Sequence, residues 1–100
     1  MQQYAEISFD RTQPAVTATT KVVLLANRNR SYALLVNDSD VVIFIWKGKV
    51  ATLNRGIRLN AAGGSYEINS TNLYKGEISA IHGGVGNKAL LINEDEAKYS

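Results

Sequence analysis

The sequence predicts an all-β protein: an antiparallel β-sandwich, jelly-roll-like or a partly open barrel, with about eight or nine short strands and little or no helix. Three observations lead there. Short runs rich in Val, Ile, Tyr, Phe and Thr recur at near-regular spacing. Clusters of Gly, Asn, Asp and Ser divide them. No window of helical length places apolar residues at i, i+3, i+4 and i+7 over good helix formers.

The strands are expected at residues 4–9, 21–26, 32–36, 41–46, 50–53, 56–59, 66–68, 76–82 and 88–93. In the first, Ala5, Ile7 and Phe9 alternate with Glu6 and Ser8, the pattern of a half-buried strand. Pro14 lies outside any expected ladder, and residues 16–20 lead into or extend the second strand. The turn Asn27-Arg28-Asn29-Arg30-Ser31 follows, with two asparagines that tolerate left-handed backbone. Asn37-Asp38-Ser39-Asp40 is the next corner. Lys47-Gly48-Lys49 and Asn54-Arg55-Gly56 read as tight reversals on either side of the strand at 50–53. Ile57 and Leu59 alternate with Arg58 in the next strand. Gly63 and Gly64 offer positive φ before residues 66–68. Gly83-Gly84-Val85-Gly86-Asn87 joins the last two strands as a hairpin loop.

One hundred residues fit a single domain, 1–100, with arms expected at about 1–4 and 94–100. The chain has no cysteine, which removes disulfides, thiolate catalysis and thiolate zinc sites. Apolar runs of about six residues fall far short of the roughly 20 that span a bilayer, so no membrane association is expected. The N-terminus MQQYAEISFD has no basic stretch followed by an apolar one, which implies synthesis in the cytoplasm. A net charge of +2 does not call for nucleic acid. The charge is uneven: basic residues crowd the first sixty positions, whereas Glu94-Asp95-Glu96 makes the tail acidic. This pattern suits a solvated surface or charge-complementary contact between neighbouring copies.

Three strands are apolar on both faces. Val41, Ile43 and Ile45 oppose Val42, Phe44 and Trp46. Tyr32, Leu34 and Val36 oppose Ala33 and Leu35, and Ala89 and Leu91 oppose Leu90 and Ile92. A two-layer sandwich buries one face of each sheet, so the other face needs a loop, an arm or another chain. Burying a Phe or Trp side chain is worth about 1.5–3 kcal/mol, enough to drive such cover. A protein interface is the expected answer, at Val42, Phe44, Trp46, Tyr32, Leu34 and Tyr74. Polar contacts are expected at Arg28, Arg30, Glu94, Asp95 and Glu96. A charge at Phe44 or Trp46 should then disturb assembly more than folding.

The residues that invite chemistry assemble poorly in the sequence. His82 has Ser79, Ser65 and Glu77 as conceivable partners, but Ser79 and Glu77 fall on the opposite strand face and no Gly-x-Ser-x-Gly elbow occurs. The glycines at 83–86 lack the Lys-Ser/Thr ending of a phosphate loop and a following helix. Glu67 and Glu77 have no spacing that marks a glycosidase pair. Arg28 and Arg30 beside Tyr32 are a weak nucleic-acid signal. Trp46, Tyr66 and Tyr74 suggest an aromatic platform for a sugar. No catalytic residue, cofactor or metal ligand is assigned.

The order of features resembles a known group. An Asn-Arg turn leads to an apolar strand ending in Asn-Asp-Ser-Asp, then Gly56-Ile57-Arg58-Leu59, the turn Gly63-Gly64-Ser65-Tyr66, and Leu73-Tyr74-Lys75-Gly76-Glu77-Ile78-Ser79-Ala80-Ile81. The chain closes on Leu90-Leu91-Ile92-Asn93-Glu94. Over about residues 16 to 94 this is similar to small β-sandwich virion proteins of tailed bacteriophages. Phe44-Ile45-Trp46-Lys47-Gly48 departs from that pattern, being more hydrophobic. The resemblance implies a non-enzymatic decoration, head-fibre or tail-associated protein of the virion. It would bind copies of itself, with trimers favoured, and other virion proteins such as the major capsid protein. The alternative is a carbohydrate-binding sandwich used in host attachment.

Asp38 and Asp40 offer two carboxylates but lack the glycine and distal glutamate of a calcium loop, and Asn-Asp-Ser-Asp is ordinary turn chemistry. The double change Asp38→Asn/Asp40→Asn should leave the melting temperature nearly unchanged, with or without calcium. A melting temperature that rises with calcium and stops responding in the double variant would overturn the turn reading.

Overall fold

The computed structural model of the protein describes residues 4–99. Among them are nine strands in two antiparallel sheets and no helix. The strands are β1 (Tyr4–Asp10), β2 (Gln13–Val16), β3 (Lys21–Leu24), β4 (Arg30–Asn37), β5 (Ile43–Lys47), β6 (Ile57–Leu59), β7 (Ser65–Ile68), β8 (Ile78–His82) and β9 (Lys88–Tyr99).

Their pairing is that of one long hairpin rolled on itself. Counting inward from the ends, β1 and β2 pair with β9, β3 with β8, β4 with β7, and β5 with β6. Rolling adds two lateral pairings, β9 with β4 and β8 with β5. The first closes a terminal sheet, ordered β1-β9-β4-β7 with β2 also on β9. The second closes a sheet ordered β3-β8-β5-β6. This is the jelly-roll arrangement, with β1 and β2 as two lengths of one interrupted edge strand.

The alternation read from the sequence builds the core. Ala33 and Leu35 of β4, Leu90 and Ile92 of β9, and Ile68 of β7 face inward from the terminal sheet. Ile43 and Ile45 of β5, Ile78 and Ala80 of β8, and Leu59 of β6 meet them from the other.

Three segments depart from the sequence expectation. Residues 50–53 are not a strand. They belong to residues 48–56, a strap from β5 to β6 laid across the outside of the β3-β8-β5-β6 sheet. The Ser79 hydroxyl donates to the Gly48 carbonyl (2.6 Å), and the Ala51 N–H donates to Thr20 Oγ1 (2.8 Å). Ala51 thereby closes over Phe44 and Ile81, with Val42 alongside. Trp46 lies against the strap's two ends, where a Cβ on Gly48 or Gly56 would come within 2.9 Å and 2.8 Å of its ring.

Pro14 lies within a strand, β2, which was not anticipated. It sits on an edge, where a missing N–H is tolerated, and the register with β9 shifts across it. Residues 94–99, expected as an arm, are instead the second half of β9 and pair along β1 from Tyr4↔Tyr99 to Phe9↔Glu94. Residues 1–3 and 100, which complete the expected arms, lie outside the described residues.

Phe44 is only 8 % exposed and is covered by its own chain. It is therefore core, which reverses the expectation that a charge there spares folding. Phe44→Ala should destabilise the isolated chain by about 3–5 kcal/mol in urea unfolding. Trp46→Ala, at a half-exposed position, should cost clearly less. Equal losses would mean that the strap does not shield Phe44 in solution.

Candidate functional site

The sequence-derived interface residues separate into distinct places. Tyr32 and Leu34 stand half-buried on the outer face of the terminal sheet. Val42 and Phe44 pack beneath the strap, and Trp46 beside it remains 49 % exposed. Tyr74 lies in the β7–β8 connection, packed against the main core, its hydroxyl donating to the Glu77 carbonyl (2.9 Å).

The suggested aromatic platform does not form. Trp46 opposes Ser79 on the outer face, whereas the Lys47 ammonium stands 5.3 Å from the Tyr66 ring centre and 5.7 Å from that of Tyr74. The Lys47 ammonium lies within cation–π reach of both tyrosine rings.

The polar residues also sort by burial. Arg30 and Glu94, expected as partner contacts, are 1 % and 2 % exposed and bind each other, Nε to Oε2 at 2.7 Å. The Arg30 guanidinium also donates to the carbonyls of Leu25 (2.6 Å), Tyr74 (2.8 Å) and Gly76 (3.0 Å). One side chain therefore ties β4 to β9, to the end of β3 and to the β7–β8 connection. Arg11 covers the other Glu94 oxygen (3.1 Å), at the mouth of a cavity of about 550 Å³ between the β1/β2 edge and β3. Glu96 lines the same cavity and accepts a hydrogen bond from Asn27 Nδ2 (2.8 Å). Arg28 is exposed in the β3–β4 turn.

At the corner 37–40 the important residue is Asn37, which the sequence reading passed over. It is fully buried and its Nδ2 donates to the carbonyls of Val41 (2.7 Å) and Leu59 (3.0 Å). The Ser39 hydroxyl donates to its Oδ1 (2.6 Å). A short polar residue ending an apolar strand was the available signal. Asp38 and Asp40 are exposed, and Lys88, 2.7 Å from Asp40, holds that carboxyl below its usual range.

His82 is buried with both ring nitrogens engaged. Nε2 lies 2.9 Å from the carbonyls of Val16 and Gly86, so it carries the proton, and Nδ1 accepts from the Gly84 N–H (3.0 Å). Ser79 faces the opposite side of β8, where it binds the strap, so the two are not a catalytic pair. Among the described residues no group of three or more His, Asp or Glu is placed to hold a metal.

What remains open is the outer face of the terminal sheet. One ladder row crosses it as Glu67–Leu34–Asn93–Asp10, and the next as Ser65–Val36–Leu91. Leu34, Val36 and Leu91 line an apolar depression of about 330 Å³, with Leu91 40 % exposed. Carboxylates share this face, with Asp10 lining the depression and Glu67 beside Leu34. The Tyr32 hydroxyl donates to Glu67 (2.6 Å), which lowers the Glu67 pKa and raises that of Tyr32. Hydrogen bonds from Thr12, side chain first and then backbone, lower that of Asp10. Asp95 accepts from Ser8 (2.6 Å) and Glu6 from Ser31 (2.6 Å). Among the described residues, the outward positions of β1, β9, β4 and β7 carry no lysine or arginine.

Comparison with known proteins gives no match: no family model, no curated protein and no solved structure matches this chain.

The Arg30–Glu94 pair is load for the fold and not for a partner. Removing one member of a buried pair strands the other charge, so Glu94→Ala should cost about 3–5 kcal/mol of stability in urea unfolding. Asp95→Ala, one residue along on the outer face, should cost far less. A Glu94→Ala chain as stable as the parent would show that Arg30 needs only its carbonyl partners.

Proposed function

We propose that this chain is a non-enzymatic structural protein of a bacteriophage particle that binds other virion proteins through the outer face of its terminal sheet. The observation that carries this reading is the contrast between the two outer faces. The chain covers one apolar face with a nine-residue strap, residues 48–56, and leaves the Leu34–Val36–Leu91 face bare. Exposed apolar sheet surface rimmed by polar groups is the usual form of a protein contact site. The virion assignment rests on the motif order over residues 16–94. The jelly roll is compatible with it, but the same architecture serves capsid and lectin domains alike, so the fold alone does not choose.

A second reading has one observation in its favour. Trp46 is half-exposed beside the strap, as a ring that stacks on a sugar would be. Glycan-array binding lost on Trp46→Ala would support it.

The deciding experiment is cryo-imaging of particles from the source virus made with and without this chain. Density for a small sandwich should appear only with the chain, and Leu34→Asp/Leu91→Asp should remove it while the isolated variant still folds. Particles that contain no copy of the chain by mass spectrometry would overturn the proposal.

A further inference from the structure

The two outer faces of the sandwich carry opposite charge. The outward positions of the terminal sheet carry Glu6, Asp10, Glu67 and Asp95, with Asp10 lining the apolar depression and Glu67 beside Leu34, each bound only to neutral donors in the contacts described above. The other face carries Lys49, Arg55 and Arg58, from a stretch with no acidic residue between Val41 and Tyr66. Arg58 pairs across the ladder with Phe44 and so shares its outer face. Arg55 and Arg58 line a depression beside Phe44, and Lys49 is exposed on the strap. This face has apolar surface too: Val50 is 61 % exposed and Leu53 38 %.

We infer that copies of this chain stack face to back, the acidic, apolar outer face of one terminal sheet seating on the basic strap of the next copy. This rests on assigning the terminal sheet's face to protein contacts, and it names a second copy as the occupant. Like faces are excluded by charge, since joining two terminal sheets would oppose four carboxylates to four. Unlike faces meet with opposite charge and with apolar centres aligned. Such a contact is heterologous, because the two surfaces that touch are different. It therefore closes into a ring or extends as a stack, according to the rotation between copies. Four strands about 4.8 Å apart and about seven residues long make a face of roughly 15–20 by 20–25 Å. That is the small end of specific interfaces, so a single contact is weak and stacking depends on concentration.

Sedimentation velocity on the full chain, over a concentration series at low and high salt, tests this. The parent chain should associate as concentration rises and dissociate in high salt, which screens exposed charge. Asp10→Lys/Glu67→Lys reverses one face, and Arg55→Glu/Arg58→Glu reverses the other. Each should be monomeric alone, with circular dichroism unchanged because all four side chains are exposed. Mixing the two should restore association, because every unlike-face contact between the two variants is again complementary. A parent chain that stays monomeric at low salt overturns the inference, as does a mixture that stays monomeric when the parent associates. A monomeric chain found on particles would leave the virion role standing without self-stacking. A chain that stacks but is absent from particles would do the reverse.

Discussion

A two-layer sandwich has one interior and two exteriors, and a chain of this size has little left to cover the exteriors once the interior is filled. Burial of apolar area drives folding in proportion to the area removed from water, whichever side of the sheet it lies on. β5 makes the constraint acute: Ile43 and Ile45 fill the core while Phe44 and Trp46 point away from it. Among the described residues, the tip of the rolled hairpin is the only connection between neighbours in the same sheet. It is thus the loop free to double back over that sheet. It does so as the strap, held by Ser79 and Thr20 and carrying Ala51 onto Phe44.

Two buried polar side chains, one at each end of β4, help pin the roll. Arg30 gathers β9, the end of β3 and the β7–β8 connection around one guanidinium. Asn37, at the other end of β4, gathers the β4–β5 corner and β6. A planar fork of donors satisfies several carbonyls and a carboxylate together, which an ammonium could not match in geometry. Because a buried polar group must be paired, each of these residues tolerates only the arrangement that pairs it. They select among the ways an alternating chain can be rolled, a choice that the apolar core leaves open.

This division explains what the sequence disclosed. Alternation marked strands wherever one face is wet, as in β1 and β6, and continuous apolar runs marked β4, β5 and β9. It failed where a local rule met a tertiary exception. Val50 and Leu53 look like strand residues, but only Ala51 between them is buried, and it is held by a side chain and not by a ladder. Pro14 argued against a strand and occupies an edge that needs no donor. The run Glu94-Asp95-Glu96 read as a solvated tail because its partners, Arg30 and Arg11, lie more than sixty residues away. For the same reason Phe44 was assigned to a partner and Arg30 to the surface, since sequence shows the need for cover and for pairing but not who supplies it.

The strap also makes the two exteriors chemically unlike. The loop that hides Phe44 brings cations and no carboxylate, so covering the apolar strand turns that face basic. The terminal sheet gains no loop, and its outer face carries carboxylates, with Asp10 and Glu67 in the same row as Leu34. Hydrogen bonds to Asp10 and Glu67 favour their ionised forms, which keeps that face charged further into acid than isolated carboxylates would. A single structural decision, where the hairpin tip lies down, thus separates the charge of the molecule across its thickness. The two broad faces therefore differ in their charged side chains, carboxylates on the terminal sheet and Lys49, Arg55 and Arg58 on the strap side.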